Sequence, residues 1–264
     1  MAGYVDIHAH VLPGIDDGPG DLGQSLEMAR AAVASGVATI ASTPHLRSDF
    51  PDVHVDELAD RCRAVREAID AEGIPLTLVS GAEVSLAWAI EASDEELTLA
   101  SYGQRGTDLL VETPTVIAVG VERFLYELRA KGYRITLAHP ERSAQFQRDE
   151  SPVRDLVDQG VLLQVNAESL LGPGPYRGIK RLARDLLVNG LVHAIASDAH
   201  RGTKWRPVTR LPEGIQAASE LVGIERAEWM AHAAPRAIVD GAYLPDAPPV
   251  TAPRRHRRLF GFGR

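Results

Sequence analysis

Short runs of apolar and β-branched residues alternate along this chain with longer stretches in which apolar residues recur every three or four positions. The runs are 4–10 (YVDIHAH), 37–43 (VATIAST), 75–80 (PLTLVS), 108–113 (DLLVET), 134–139 (RITLAH), 161–166 (VLLQVN) and 191–197 (LVHAIAS). Most lack a polar face, as strands covered on both sides should. Between them, Leu22, Leu26, Ala29 and Val33 mark a helix with Asp21 placed to cap it and Gly36 to stop it. Val55, Leu58, Cys62, Val65 and Ile69 mark a second, ending at Gly73, and Ile179, Leu182 and Leu186 a third, closed by Gly190. Seven strand-then-helix units predict parallel strands joined by right-handed crossovers. In about 240 residues this α/β pattern fits a closed (β/α) barrel of seven strands better than the competing topology, an open doubly wound sheet.

The 264 residues are 45% hydrophobic and 24% charged, the composition of a globular chain large enough to bury its own core. The last stretch, 245–264, is Pro-rich and then Arg-rich and reads as a disordered tail behind a single domain, 1–244. Arg254, Arg255, Arg257, Arg258 and Arg264 lie in it; without those five the formal net charge falls from −8 to −13. An acidic body argues against nucleic acid as a partner. The tail's arginines, followed by Leu259, Phe260 and Phe262, offer the one membrane contact the sequence suggests, against the plainer reading of a solvated tail. There is no apolar run of bilayer length and no signal-peptide pattern at the start, and Cys62 is the only cysteine, so the expected compartment is the cytoplasm. Homo-oligomerisation is left open.

The chemistry lies in where the His, Asp and Glu residues fall. His8 and His10 end the first predicted strand two apart, on one face, and Asp17 follows in the loop. His45 lies just past the second strand, Glu83 follows the third, Glu112 ends the fourth and His139 the fifth; Asp198 and His200 follow the seventh. Five of the nine histidines and four carboxylates thus gather at strand carboxyl ends, which in a parallel barrel converge on one mouth. Any one of these residues is accounted for by a helix cap, an ion pair or a surface imidazole. Their recurrence after six of seven strands is not, and it predicts a metal site. Imidazole and carboxylate ligands without cysteine suit Mn²⁺, Fe²⁺ or Zn²⁺, and nine ligands exceed the needs of one ion, so two or three ions with Glu83 as a bridge are expected. Such cations lower the pKa of bound water and draw in an anionic oxygen. Arg142 and Arg206 follow His139 and His200, where guanidinium groups suit a phosphate, with surface-loop arginines as the plain alternative. His54 reads as loop surface, His193 as lying inside a strand, His232 as part of a terminal helix and His256 as tail; Cys62 reads as a core thiol.

The ordered set D-I-H-A-H-V-L-P-G-I-D-D-G, S-T-P-H, G-A-E, V-E, A-H-P-E-R, Q-V-N and S-D-A-H resembles the polymerase and histidinol phosphatase (PHP) superfamily. Within it, the pattern is similar to the manganese-dependent bacterial protein tyrosine phosphatases of the CpsB/YwqE type, over roughly residues 3–241. The resemblance implies a distorted seven-stranded TIM-like barrel with three Mn²⁺ ions. It implies that His8, His10, Glu83 and Asp198 hold the first ion, Glu83, Glu112 and His139 the second, and Asp17, in preference to Asp16, with His45 and His200 the third. It also matches Arg142 and Arg206 to phosphate-contacting arginines. The mechanism expected is direct in-line attack on phosphorus by a metal-bridging hydroxide, without a phosphoenzyme. Arg142, Arg206, Asp198 and His200 form the catalytic set, and since the last two are also ligands no separate general acid is assigned. The implied substrate is phosphotyrosine on a protein, on the tail of a bacterial tyrosine autokinase of capsule or exopolysaccharide regulation.

Three rivals remain at this stage. A small-molecule phosphatase of the histidinol-phosphate type shares the motif set, although G-I-D-D-G favours the tyrosine-phosphatase branch. An amidohydrolase-type deaminase or lactonase also opens with His-x-His, but the Asp-x-His ending and two additional carboxylates speak against it. The third is a non-catalytic, metal-stabilised barrel. A phosphocysteine route is out, because its C-x5-R loop would need arginine where Ala68 stands.

Overall fold

Nine strand segments, all paired in parallel, form two sheets in a computed structural model that describes residues 3–114, 121–171, 177–201 and 206–251. The first sheet orders β1 (Tyr4–Ala9), β2 (Val37–Ser42) and β4 (Thr77–Ser80) as β1-β2-β4. The second runs β3-β5-β6-β7-β8-β9, with β3 (His45–Leu46), β5 (Glu83–Val84), β6 (Asp108–Glu112), β7 (Arg134–Ala138), β8 (Leu162–Asn166) and β9 (Ala194–Ala196). The described residues therefore hold two parallel sheets where a single closed seven-stranded barrel was expected. The difference has a local cause. The second and third expected strands are each interrupted, at Thr43–Pro44 and at Gly81–Ala82. Proline has no N–H for the ladder and glycine weakens a strand interior. The chain resumes as β3 and β5, paired with His45 opposite Glu83.

Hydrogen bonds between backbone groups bridge both breaks. Thr43 N donates to Ala9 O (2.9 Å) and Glu83 N to Pro44 O (3.0 Å). At the far edge, Ala9 and Ala199 form an isolated parallel bridge, with His10 N donating to Ala199 O and Asp198 N to His8 O, each at 2.8 Å.

The helices form where the apolar periodicity placed them. In Leu22–Ala34 Asp21 accepts from Gln24 N (2.9 Å), as its capping role requires, and the chain turns out at Gly36 with φ +85°. Its buried face is Ser25, Met28, Ala29 and Ala32, rotated from the expected Leu22-Leu26-Ala29-Val33 stripe, and Leu22 is exposed. Small residues let the helix approach the strands closely, and Ser25 Oγ donates to Val11 O (2.7 Å) to fix that rotation. Helix Leu58–Ala71 buries Leu58, Cys62, Val65 and Ile69 as expected, and Arg177–Val188 buries Leu182, Ala183, Leu186 and Leu187.

Residues 245–251 lie along the body as an extended strap. Trp229 Nε1 donates to Pro245 O (3.1 Å), Arg226 Nη1 to Pro248 O (3.1 Å), and Thr251 N to Val222 O (2.9 Å). A proline-rich segment offers carbonyls and few N–H groups, so donors on the body can hold it extended. The arginine-rich remainder, with His256, lies outside the described residues.

Candidate metal centre

The strand ends carry the site. His8 is in β1 and His10 one residue beyond it, and both are fully buried. The interruption after β2 puts His45 at the start of β3, in register with Glu83 at the start of β5. Glu112 ends β6, His139 follows β7, Asp198 and His200 follow β9, and Asp17 lies in the loop after β1. Among the described residues four non-glycines have positive φ, and three are here: His139 (+38°), Asp198 (+51°) and Arg206 (+46°). Backbone strain of this kind persists where the surroundings over-determine it, as at binding sites.

All nine expected ligands converge. Glu83 is the hub: its Oε2 lies 2.9 Å from His45 Nδ1, 3.4 Å from His8 Nε2 and 3.7 Å from His10 Nε2, and its Oε1 lies 2.9 Å from His139 Nε2. Asp198 Oδ1 is 3.6 Å from His8 Nε2 and 3.7 Å from His10 Nε2. Asp17 Oδ1 is 3.3 Å from His200 Nε2 and 3.6 Å from His45 Nε2. Four overlapping groups result, each with its ligand atoms within 4.8 Å of one another: His10, Asp17, His45 and His200; His8, His10 and Asp198; His8, Glu83 and His139; His45, Glu83 and Glu112. This grouping differs in detail from the expected partition, since Glu83 and Glu112 join through His45 rather than His139.

Do these residues fit divalent cations? Among the described residues, buried His8 Nε2, His10 Nε2, His45 Nδ1, His139 Nδ1, Asp17 Oδ1 and Glu83 Oε2 have no partner in hydrogen-bonding geometry. A buried polar atom left without a partner costs about 1–3 kcal/mol, so six gathered on one site are expensive without a ligand. Imidazole nitrogens and carboxylate oxygens in this number are the donor set of a divalent transition metal. They fit.

Electrostatics follow the same plan. Burial alone would raise Glu83, but His8, His139 and His45 hold it well below the ordinary carboxylate range. Burial would lower His8, but the Glu83 and Asp198 carboxylates push it up to about 9. His10 is pushed down to about 4 by burial and by His200. Burial and neighbouring Glu83 raise Glu112.

Arg142, in the turn Pro140–Arg142, and Arg206 both reach the centre: their Nη1 atoms donate to Asp198 Oδ2 at 3.1 and 2.9 Å. Asp16, the less favoured of the two aspartates, lies 2.7 Å from the outer nitrogen of His10, Nδ1, and accepts from His45 N, while Asp17 faces the group.

Sequence reasoning missed several neighbours. Arg47 Nη1 donates to Glu112 Oε1 (2.7 Å), and Phe50 stacks on His45 with centroids 5.1 Å apart. Asp6 lies beneath His8, accepting from Ser197 Oγ and N, and burial raises it to about 6. Glu141 is buried and accepts from Asn166 N and Ser169 Oγ. Strand alternation signals Asp6, two before His8 on the same face, whereas Arg47 carries no sequence signal. The other histidines have plain roles. His193 lies just ahead of β9, not within it, and its Nδ1 accepts from Leu163 N (3.2 Å). His232 Nδ1 is 3.1 Å from Gly3 O, and His54 is exposed.

Parallel sheets with a histidine–carboxylate cage at the strand ends make this an α/β protein with structural neighbours in the TIM-barrel-like class. An inactive dihydroorotase-like domain from Chaetomium thermophilum shares the fold, with TM-score 0.58 and 10% identity, covering 93% of this chain and 80% of that one. More narrowly, the chain belongs to the family described as capsular polysaccharide synthesis, CpsB/CapC, whose family model matches residues 4–240. It is 33% identical over 266 residues to the tyrosine-protein phosphatase YwqE of Bacillus subtilis (strain 168), covering 98% of this chain and 99% of that one. It is also similar to a solved structure from a crystallographic description of YwqE from B. subtilis and CpsB from Streptococcus pneumoniae, unique metal-dependent tyrosine phosphatases. That match has TM-score 0.80 and 28% identity and covers 95% of this chain and 100% of the other. Among the described residues no helix is long and apolar enough to cross a membrane.

Proposed function

We propose that this chain is a metal-dependent protein tyrosine phosphatase that hydrolyses the phosphomonoester by direct attack of water on phosphorus. The observation that carries the reading is the convergence of buried, unpartnered imidazole and carboxylate atoms on one site beside two arginines. Support for the substrate comes from membership of the CpsB/CapC family and from the tyrosine phosphatases it resembles. The two sheets are read as one distorted barrel of seven strand positions, β2 with β3 and β4 with β5 each counting once and the Ala9–Ala199 bridge closing the ring.

Three divalent cations, Mn²⁺ by preference over Fe²⁺ or Zn²⁺, would be held by His8, His10, Asp17, His45, Glu83, Glu112, His139, Asp198 and His200. When bound, such ions lower the pKa of water and offset charge on a phosphoryl group. Arg142 and Arg206 bind the phosphate oxygens in fork geometry. Asp198 holds both guanidinium groups over the site through Oδ2, and with His200 it completes the catalytic set. Cys62 takes no part: it is buried on the core face of helix Leu58–Ala71. The substrate is placed on the tail of a bacterial tyrosine autokinase of capsule or exopolysaccharide assembly. A cytoplasmic setting suits that tail and the free cysteine.

The test is elemental analysis of the purified protein, followed by phosphate release from phosphotyrosine peptides with and without added Mn²⁺. Cation-dependent release is expected, faster than from histidinol phosphate. A metal-loaded protein that hydrolyses no phosphomonoester, or histidinol phosphate alone, overturns the reading.

A further inference from the structure

The Q-V-N segment of β8 has no place in the ligand set or among the phosphate-binding residues, yet Gln164 and Asn166 are buried on the strand's inner face. Alternation puts both side chains on that face, two residues apart. Gln164 Oε1 is 3.0 Å from His8 Nδ1, Gln164 Nε2 donates to Asn166 Oδ1 (2.9 Å), and Asn166 Nδ2 donates to Asp198 Oδ2 (2.6 Å). The four side chains form one run of hydrogen bonds. Its ends, His8 and Asp198, face each other again across the cage, with Nε2 and Oδ1 3.6 Å apart.

The polarity of that run is dictated from one end. An ionised carboxylate only accepts, so Asn166 must turn its NH₂ to Asp198 and its oxygen to Gln164. Gln164 must then present its NH₂ to Asn166 and its oxygen to His8. An amide oxygen cannot donate, so His8 Nδ1 must carry a proton. Nε2, the atom with no hydrogen-bond partner beside Glu83 and Asp198, is left as the ligand nitrogen. At the other end Asn166, Arg142 and Arg206 all occupy Asp198 Oδ2, which leaves Oδ1 to the cage.

We infer that Gln164 and Asn166 are positioning residues. They transmit the fixed polarity of Asp198 to His8, locking the His8 tautomer and the Asp198 rotamer needed to bind a cation together. The inference rests on the cation-dependent reading above. Outer-sphere partners of this kind change metal affinity by about 10–100-fold.

The first measurement needs no variant. In ¹⁵N-histidine-labelled wild type loaded with diamagnetic Zn²⁺, long-range ¹H–¹⁵N correlation should find the His8 proton on Nδ1; a proton on Nε2 overturns the inference. Next, Gln164→Met and Asn166→Leu remove the amides at similar volume. Each should weaken Mn²⁺ binding by about 10–100-fold, read by calorimetric titration. Gln164→Met should also lose the single Nδ1–H signal. Thr136→Val, which alters a buried hydroxyl in β7, is the control. Variants that melt at lower temperature but keep wild-type Mn²⁺ affinity and the Nδ1–H signal show a merely structural role and overturn the proposal. Should wild type itself take up no divalent cation, the phosphatase reading falls and this inference with it. Normal loading of wild type and of Gln164→Met alike sinks the inference alone. If neither variant folds, the wild-type tautomer decides.

Discussion

His8, buried near the carboxyl end of β1, and His193, half-buried just ahead of the neighbouring β9, ionise in opposite senses. Burial pushes His193 down to about 4, aided by the nearby Arg226 guanidinium. Burial acts on His8 still more completely, but Glu83 and Asp198 outweigh it and push the ring up to about 9. Their surroundings differ in kind. His193 has its Nδ1 satisfied by Leu163 N and its ring beside Trp229, and the positive charge close by belongs permanently to Arg226. Arg226 spends its donors on the carbonyls of Gly190, Val192 and Pro248, so that charge has neutral partners and holds the chain together. At the strand ends, positive charge is demanded by carboxylates and faced by unpartnered nitrogen lone pairs, which is an environment for exchangeable cations. Carboxylate supply outweighs depth in separating a ligand histidine from a structural one.

The strongest way to break this contrast is to remove the hub. Glu83→Ala deletes the one carboxylate that touches four of the imidazoles. Bound metal should fall sharply in elemental analysis. Phosphotyrosine hydrolysis should drop by about 10³-fold or more, beyond the ~10–100-fold cost of losing an outer partner. Full activity in a metal-free Glu83→Ala protein would reject the cation-dependent mechanism. Arg142→Ala comes next. It removes a permanent positive charge from the mouth while leaving every expected ligand in place. It should lower kcat/KM for phosphotyrosine peptides by about 10²-fold with metal content unchanged. A parallel loss of metal would mean that Arg142 serves to hold Asp198 and not the phosphate.

The contrast also explains what was legible in the sequence. All nine expected ligands converge because side-chain alternation and parallel topology, both local rules, suffice to bring strand ends together. The interruptions at Thr43–Pro44 and Gly81–Ala82 were not foreseen. Within an apolar run a single proline or glycine does not reveal whether pairing resumes, and only the resumption sets His45 opposite Glu83. The rotation of helix Leu22–Ala34 was hidden for a related reason. Buried alanines and Ser25 outcompete larger residues where close approach is required, and hydrophobicity alone points to Leu22. The strap at 245–251 reads as disorder by composition, because nothing local shows that Arg226 and Trp229 lie ready to receive its carbonyls. Gln164 and Asn166 escaped for want of any metal-ligand signature; their part depends on hydrogen-bond direction, which only a three-dimensional arrangement supplies.

The smallest expected effect tests the other half of the comparison. The folded-state pKa of His193, about 4, lies below the ordinary 6.5, so the unfolded chain takes up the proton first as pH falls. Its contribution to stability is therefore complete above pH 6.5 and is lost as pH drops toward 4. At pH 5 that loss amounts to at most about 2 kcal/mol. His193→Asn keeps an acceptor near the Nδ1 position for Leu163 N but cannot titrate. Denaturant melts at pH 7.5 and pH 5 should show a smaller acid-induced loss for the variant than for wild type, with phosphatase activity at pH 7.5 preserved. The ligand carboxylates titrate alike in both proteins and cancel in the difference, which isolates the His193 imidazole. Equal losses in the two proteins would mean that His193 is not held neutral by its surroundings, and the opposition drawn between the two histidines would lose one of its sides.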